Sequence, residues 1–290
     1  MECEWPMKRA TLMRNDGWAP EMPRNQRGVA LIIVLLVTAL LIALIFEFAY
    51  GTRISLRAAA NYRDNQRAYY LARSGVHIFG KFKELQDGIL QGEWQTIPIV
   101  SAGDTELKIR WEDESGKINV TNVTSGSDGY KRLQALFTHL GIDQGILDTI
   151  SAWMIQEKRR FYLLSELHLF LSDEDFLKVQ DFLTVYSVEP KININTAPVE
   201  VLMSLGLTEN DAKTIVEQRK DTPYTETTIG SSSGIPGMTS MIAGALGVKS
   251  NVFKVDSVAK VGGYTKQIEA IITRGTGSVA TFSINYWREL

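Results

Sequence analysis

A chain of 290 residues with 44% apolar side chains is long enough to build more than one core and too apolar to be disordered. Its 31 Lys and Arg against 33 Asp and Glu exclude the basic excess of a dedicated polyanion binder. The single cysteine, Cys3, excludes an intramolecular disulfide framework and a multi-cysteine zinc site.

In chain order, the first element is the run VALIIVLLVTALLIALIF from Val29 to Phe46, 18 residues without a charge and with Thr38 as the one polar side chain. At 1.5 Å per residue it covers roughly 27 Å, close to the hydrocarbon thickness of a bilayer, and it exceeds the roughly 7–15 apolar residues of a cleaved secretory signal. A retained transmembrane helix over 29–50 is therefore expected. Arg24 and Arg27 precede the run while Arg53, Arg57, Arg63 and Arg67 follow it, so flanking charge alone leaves the orientation open. No proline interrupts the sequence from Val29 to Leu85. Tyr62, Tyr69, Val76 and Leu85 with Ala59, Ala72 and Phe79 fall near one helical face, which predicts an amphipathic continuation over 51–90.

Arg27-Gly28 followed directly by an uncharged run from Val29, and then by a long helix with an amphipathic second half, resembles the signal of type IV pilin-like proteins. The resemblance implies cleavage by prepilin peptidase between Gly28 and Val29 on the cytoplasmic side, loss of a leader of residues 1–28, and N-methylation of Val29. A start at Met22 would give the leader MPRNQRG, of the length usual in that family. The fifth residue of the mature chain is Ile33, where most pilins and pseudopilins carry glutamate. A carboxylate in an apolar assembly needs a partner, which the subunit ahead usually supplies through its terminal amine. A subunit with nothing ahead has no such partner.

The missing glutamate and the length together resemble the minor pseudopilin K of type II secretion systems. That resemblance implies an α+β, type IV pilin-like fold: a long N-terminal transmembrane and amphipathic helix, a small antiparallel sheet, and a large inserted all-α domain with helix-hairpin-helix-like repeats. It also implies a non-enzymatic role at the pseudopilus tip, helping to initiate assembly for export of folded proteins across the outer membrane. The implied partners are prepilin peptidase, inner-membrane lipid, the minor pseudopilins of types I and J and, through them, the major pseudopilin. No nucleic acid is expected. The implied placement is a single pass through the inner membrane, with the N-terminus cytoplasmic and the bulk of the chain periplasmic.

Beyond the long helix, Glu93–Val100 and Thr105–Ser115 alternate as strands, with a turn at Ser101–Asp104. NVFKVDSVAKV, TKQIEAIITR and VATFSINYW alternate again near the C-terminus, divided by Gly262-Gly263 and Gly275-Thr276-Gly277. Helical patterns such as YKRLQALFTHL and LSELHLFLSDEDFLKVQDFLTV lie between. The expected division is thus a first sheet part over 91–116, an inserted helical domain over 117–245 and a second sheet part over 246–290.

An internal repeat stands out in that insertion. Leu140-Gly141-Ile142-Asp143 and Leu205-Gly206-Leu207-Thr208 are 65 residues apart, each with Thr-Ile at the same offset. In each copy a helix should end at glycine and the next begin at a capping side chain. Lys191–Lys220 resembles a helix-hairpin-helix unit, found in DNA-binding proteins and in K pseudopilins. DNA-binding versions present a Gly-x-Gly hairpin and basic side chains to phosphate. Here one glycine is followed by Glu209 and Asp211, and four basic side chains face five acidic ones from Lys191 to Asp221. The alternative reading, a membrane-anchored DNA-binding receptor, therefore lacks its charge.

Gly230-Ser231-Ser232-Ser233-Gly234 matches a nucleophile-elbow pattern, but no strand precedes it, so a flexible loop is expected in place of a hydrolase. His77, His139 and His168 share no metal-ligand spacing. The acidic runs Glu112–Glu114 and Asp173–Asp175 could supply calcium ligands but read as solvated turns, with Ser172 and Asp175 also forming a helix cap. K pseudopilins commonly carry an acidic calcium loop after a tryptophan-bearing helix. Here Trp153 leads through Lys158-Arg159-Arg160 straight to Phe161, so the family's loop is expected to be deleted.

Overall fold

The computed structural model describes residues 26–81, 92–98, 103–121, 123–186, 190–231, 234–275 and 281–290. The chain divides into two units, residues 1–60 and 61–290, and helix α1 (Gln26–Lys81) contributes to both. In the first unit α1 is the described element. It is the one described helix long and apolar enough to cross a membrane, and none of its most apolar window is buried. Two of its hydroxyls are satisfied within the helix: Thr38 donates to the Leu35 carbonyl at 2.9 Å and Thr52 to the Phe48 carbonyl at 2.8 Å.

The second unit has two cores. The first lies between the C-terminal part of α1 and a five-stranded antiparallel sheet of order β1-β2-β7-β8-β9, with β1 at Gln95–Thr96, β2 at Thr105–Asp113, β7 at Val252–Val261, β8 at Tyr264–Arg274 and β9 at Phe282–Glu289. Alternation puts Leu107, Ile109 and Trp111 of β2 on the buried face beside Phe253 and Val255 of β7. Ala68, Ala72, Val76 and Phe79 of α1 cover that face, spaced at three or four residues as one helical stripe requires. Phe79 sits 5.2 Å from the Trp111 ring and 5.5 Å from that of Phe253. Gly75 makes the approach possible, because a Cβ there would collide with the Ser257 hydroxyl.

The amphipathic stripe is narrower than expected. Ala72, Val76 and Phe79 are buried, whereas Tyr62 is 67% exposed and Ala59 is exposed as well. Leu85 lies outside the described residues. Of the strand expected over Glu93–Val100, the described residues form β1 at Gln95–Thr96, flanked by bonds from the Ile97 N–H to the Leu107 carbonyl and from the Gly92 N–H to the Trp111 carbonyl; residues 99 and 100 lie outside the described residues.

The second core is built between β2 and β7 in sequence. Helices α2 (Asp128–Leu140) and α3 (Gln144–Glu157) form one pair, and α5 (Val199–Ser204) and α6 (Glu209–Asp221) another. Leu133, Leu136, Phe137, Leu147 and Ile150 from the first pair share one cluster with Val201, Leu202, Ala212 and Ile215 from the second. In both pairs the connection follows the repeat. Gly141 and Gly206 adopt positive φ, which a side chain would oppose, and Asp143 and Thr208 cap the next helix, accepting from the N–H groups of Gly145 and Asp211.

The helical pattern over Leu164–Val185 divides at the Ser172 cap read from the sequence: a 3-10 segment (Leu164–Leu169) ends before it, α4 spans Asp173–Val179, and a second 3-10 turn precedes β4 (Leu183–Thr184). The cap competes successfully for the backbone that a longer helix would need. β4 pairs in parallel with β3 (Ile118–Asn119). The loop expected over Gly230–Gly234 needs correction at its start, since α7 (Glu226–Ser231) carries helix into its first two residues; α8 (Ser240–Ala245) and β6 (Leu246–Gly247) follow. Ser232 and Ser233 lie outside the described residues. A helix, not a strand, leads into Gly230-Ser231, the opposite of what a nucleophile elbow requires.

Candidate functional site

The processing and assembly positions expected from sequence all lie on the apolar part of α1. A Cβ on Gly28 would meet nothing within 4 Å, Val29 is 55% exposed and Ile33 is 56% exposed. Leu31, Ile32, Val34, Leu35 and Leu36 are similarly bare. A helix apolar on every side is stable only in lipid or against other helices. That is the chemistry of an anchor or of a helix-packing element, and no described polar group near Val29 or Ile33 offers more.

In the second unit the acidic run Glu112–Glu114 is where the structure departs most from the sequence reading. It is not a solvated turn. Asp113 is 3% exposed, ends β2 and caps a 3-10 turn (Glu114–Gly116). Its Oδ1 accepts from the Ser115 N–H at 2.9 Å. Its Oδ2 accepts from Asn193 Nδ2 at 2.9 Å, Thr196 Oγ1 at 2.7 Å and Ser250 Oγ at 2.6 Å. Glu114 is buried too and holds Lys117 Nζ at 2.7 Å. Burial alone would lower the Lys117 pKa, but the charges of Glu114 and Glu112 outweigh it and the net shift is upward.

Asn193 and Thr196 belong to the segment Asn193-Ile194-Asn195-Thr196-Ala197, which joins the sheet to the second helix pair. β5 (Ile192–Asn193) pairs in parallel with β6, and the Ile194 N–H extends the pairing to the Gly247 carbonyl at 3.0 Å. Asn195 clasps the Tyr224 backbone from both sides, accepting from its N–H at 2.8 Å and donating to its carbonyl at 2.9 Å. Arg219 of α6 donates to the Ile194 carbonyl at 2.8 Å and the Ala197 carbonyl at 2.6 Å. Desolvation lowers the Arg219 pKa, with Tyr224 opposing the shift. A Cβ on Gly116 would meet Thr196 Oγ1 at 2.6 Å and the Ala197 nitrogen at 2.9 Å, so this junction packs backbone on backbone.

These contacts bear on the other expected chemistries. The Asp113 and Glu114 carboxylates are already engaged by side chains and backbone. At the second acidic run, Asp173 faces His168 at 3.2 Å, Glu174 and Asp175 hold Lys178, and Asp175 also caps through Ser172. Among the described residues no group of three or more His, Cys, Asp or Glu side chains is arranged to hold an ion. At the α5–α6 hairpin, Asp211 accepts from Thr208 Oγ1 at 2.7 Å and Glu209 pairs with Lys213. The Asp211 N–H is already engaged by Thr208 Oγ1, and Glu209 and Asp211 place two carboxylates in the first turn of α6, where a phosphate would be repelled. His77 packs on Phe282, His168 on Phe176, and His139 is exposed near the end of α2, so the three histidines form no cluster.

Residues 192–249 match the family model for type II secretion system protein K. The type II secretion system protein K of Pseudomonas aeruginosa is 26% identical over 248 residues, an alignment spanning 68% of this chain and 74% of that protein. The chain is related to type II secretion system protein K. In three dimensions it is similar to a chain in the crystal structure of the GspK-GspI-GspJ complex from the enterotoxigenic Escherichia coli type 2 secretion system. The TM-score is 0.54 and the identity 14%, covering 80% of this chain and 98% of that one. The likeness extends the relation from sequence to fold. The family-model segment begins at β5 and ends just after β6, so it coincides with the Asn193–Ala197 junction and the α5–α6 pair.

Proposed function

We propose that this chain is a minor pseudopilin of a type II secretion system, acting as a structural tip subunit that helps initiate pseudopilus assembly. The observation that carries the reading is the bare apolar run of α1 that begins directly after Arg27-Gly28, in a chain whose remainder shares the fold of a GspK chain. Prepilin peptidase cuts between Gly28 and Val29 and Val29 is N-methylated. The apolar part of α1 anchors the chain once in the inner membrane, with the N-terminus cytoplasmic and the bulk periplasmic. The pilin-like part consists of α1 and the five-stranded sheet, and the helix pairs are an insertion of helix-hairpin-helix type over about 117–245. Ile33 leaves no carboxylate to be matched by a subunit ahead, which suits the tip. The partners are the type I and J minor pseudopilins, by analogy with the GspK-GspI-GspJ complex.

The role is one of assembly, not catalysis, and the acidic hairpin argues against the DNA-receptor alternative. Co-purification of the full chain with the type I and J minor pseudopilins from detergent extracts tests the proposal. A stable three-component complex is the expected outcome. Self-assembly into a homopolymer, or salt-sensitive capture of DNA in place of the pseudopilins, would overturn it.

A further inference from the structure

One cavity in the helical region belongs to none of these roles. It measures about 660 Å³, and it is lined by Lys158, Arg159 and Arg160 together with Trp153, Tyr162 and Leu169. The floor is rigid: Trp153 stacks on Phe161 with ring centres 5.3 Å apart and meets Phe170 edge-on at 5.5 Å. The rim is open, with Tyr162 64% and Leu169 71% exposed. Such side chains give a ligand apolar area without having to be uncovered first.

The charges are the decisive feature. Residues 117–245 carry 11 basic and 16 acidic side chains, so cations are scarce there. Most of them are engaged: Lys117, Lys178, Lys213 and Lys220 are ion-paired, and Arg132 and Arg219 donate to carbonyls. Among the described residues, Lys158, Arg159 and Arg160 take part in no ion pair although they are consecutive and exposed. The carboxylate that shares the cavity, Glu166, accepts from the Tyr162 N–H at 3.4 Å. Arg160 lies over the Tyr162 ring at 5.4 Å from its centre, which preorganises its planar donors. Lys158 is the one described non-glycine residue with positive φ, 51°, and this left-handed end of α3 turns the chain at the start of the basic triplet. Attraction of cations to a helix C-terminus accounts for one such residue but not for three unpaired ones beside exposed aromatic and aliphatic side chains.

We propose that this groove is a docking site for an acidic peptide segment of a partner protein, with carboxylates on the arginines and an apolar side chain between Tyr162 and Leu169. Concavity and a stacked aromatic floor suit a peptide better than a flat lipid surface, and the two guanidinium groups suit carboxylates. The inference does not depend on the pseudopilin reading.

The test uses the full chain in neutral-lipid nanodiscs and a fluorescent nonapeptide alternating Glu with Leu, alongside its Gln-for-Glu counterpart. The acidic peptide should bind, weaken with salt and alter Trp153 emission, while the Gln peptide should not bind. Arg159→Glu with Arg160→Glu should weaken binding by about ten-fold or more, with unchanged unfolding. Leu169→Ser should weaken it at constant charge. Absent binding, equal binding of both peptides, or indifference to the arginine change would overturn the proposal. So would recruitment to phosphatidylglycerol vesicles through the same arginines without peptide binding, which would assign the groove to lipid.

Discussion

Asp113→Ala tests the junction between sheet and helices most directly. The substitution removes the acceptor of four hydrogen bonds from Ser115, Asn193, Thr196 and Ser250, at a position 3% exposed. Hydrogen bonds to a charged group contribute about 1.5–3 kcal/mol each, but they are not additive, and the Thr196 and Ser250 hydroxyls can rotate to other acceptors. The Ser115 N–H and the Asn193 amide have less freedom. A loss of roughly 3–5 kcal/mol is therefore expected, the range for stranding the partners of a buried charge. Asp113→Asn retains the shape and one acceptor oxygen but turns a donor toward one side of the network, and should cost roughly 1–3 kcal/mol. Urea unfolding of the detergent-solubilised chain, followed by tryptophan fluorescence, measures both. A loss for Asp113→Ala below about 1 kcal/mol would refute the reasoning, because it would mean that these donors find water at no cost. A double-mutant cycle with Asn193→Ala should give a coupling of about 0.5–3 kcal/mol.

Gly75→Ala should destabilise the helix–sheet packing by about 1–3 kcal/mol through the collision of its methyl group with the Ser257 hydroxyl, and Ser257→Ala should partly rescue it in thermal unfolding. Ser257→Ala alone should be neutral or stabilising, since this buried hydroxyl has no hydrogen-bond partner among the described residues. Stability should fall on alkaline titration: burial pushes the Tyr186 phenol up to about 12 and Lys117 is also raised. Both contributions are complete below the unfolded pKa values, near 10.0 and 10.5, and are lost as pH rises through the folded ones. Unfolding curves between pH 9 and pH 12, roughly the span of these groups, check the sign. Intact-mass measurement of chain extracted from cells with active prepilin peptidase should show a methylated species beginning at Val29; a species retaining Gly28 would contradict the processing site. Ile33→Leu should leave capture of the type I and J pseudopilins unchanged, and Ile33→Glu should impair it, because an unpaired carboxylate in an apolar assembly costs several kcal/mol or protonates.

Local pattern was readable where the physics is local. The alternation of Thr105–Ser115 located β2 to within two residues, and the glycine-then-cap signature located the starts of α3 and α6. The stripe on α1 holds for Ala72, Val76 and Phe79, but the spacing also drew in Tyr62 and Ala59, which are exposed, and passed over the buried Ala68, because periodicity marks a face and not how far along the helix that face is covered. The Asp113 network was not legible. Three of its donors lie 80, 83 and 137 residues away, and an acidic triplet viewed alone favours solvent. The basic triplet was visible in sequence, but its unpaired state and its aromatic floor emerge only from the fold.

The position of the family-model match within the chain has a physical rationale. A helix in the second core needs apolar side chains at three- and four-residue spacing, a requirement that many sequences meet. Asn193-Ile194-Asn195-Thr196-Ala197 is more demanding. Asn193 must donate to Asp113 and Ser250, Asn195 must both donate to and accept from the Tyr224 backbone, Thr196 must reach Asp113, and two carbonyls must meet Arg219. Exchange of either Asn for Asp or Ser removes a donor or shortens the reach, so each leaves a buried group unpaired. These requirements meet where the second helix pair is tied to the end of β2, and the family match begins one residue before this segment and covers all of it. The same tie makes a mechanical prediction for the head. Asn193→Ala or Arg219→Met should loosen α5 and α6 together while the five-stranded sheet keeps its protection, measurable as faster amide exchange over 192–221 with β7 and β8 unchanged. Uniform loss of protection across the sheet would instead mean that the two cores unfold as one.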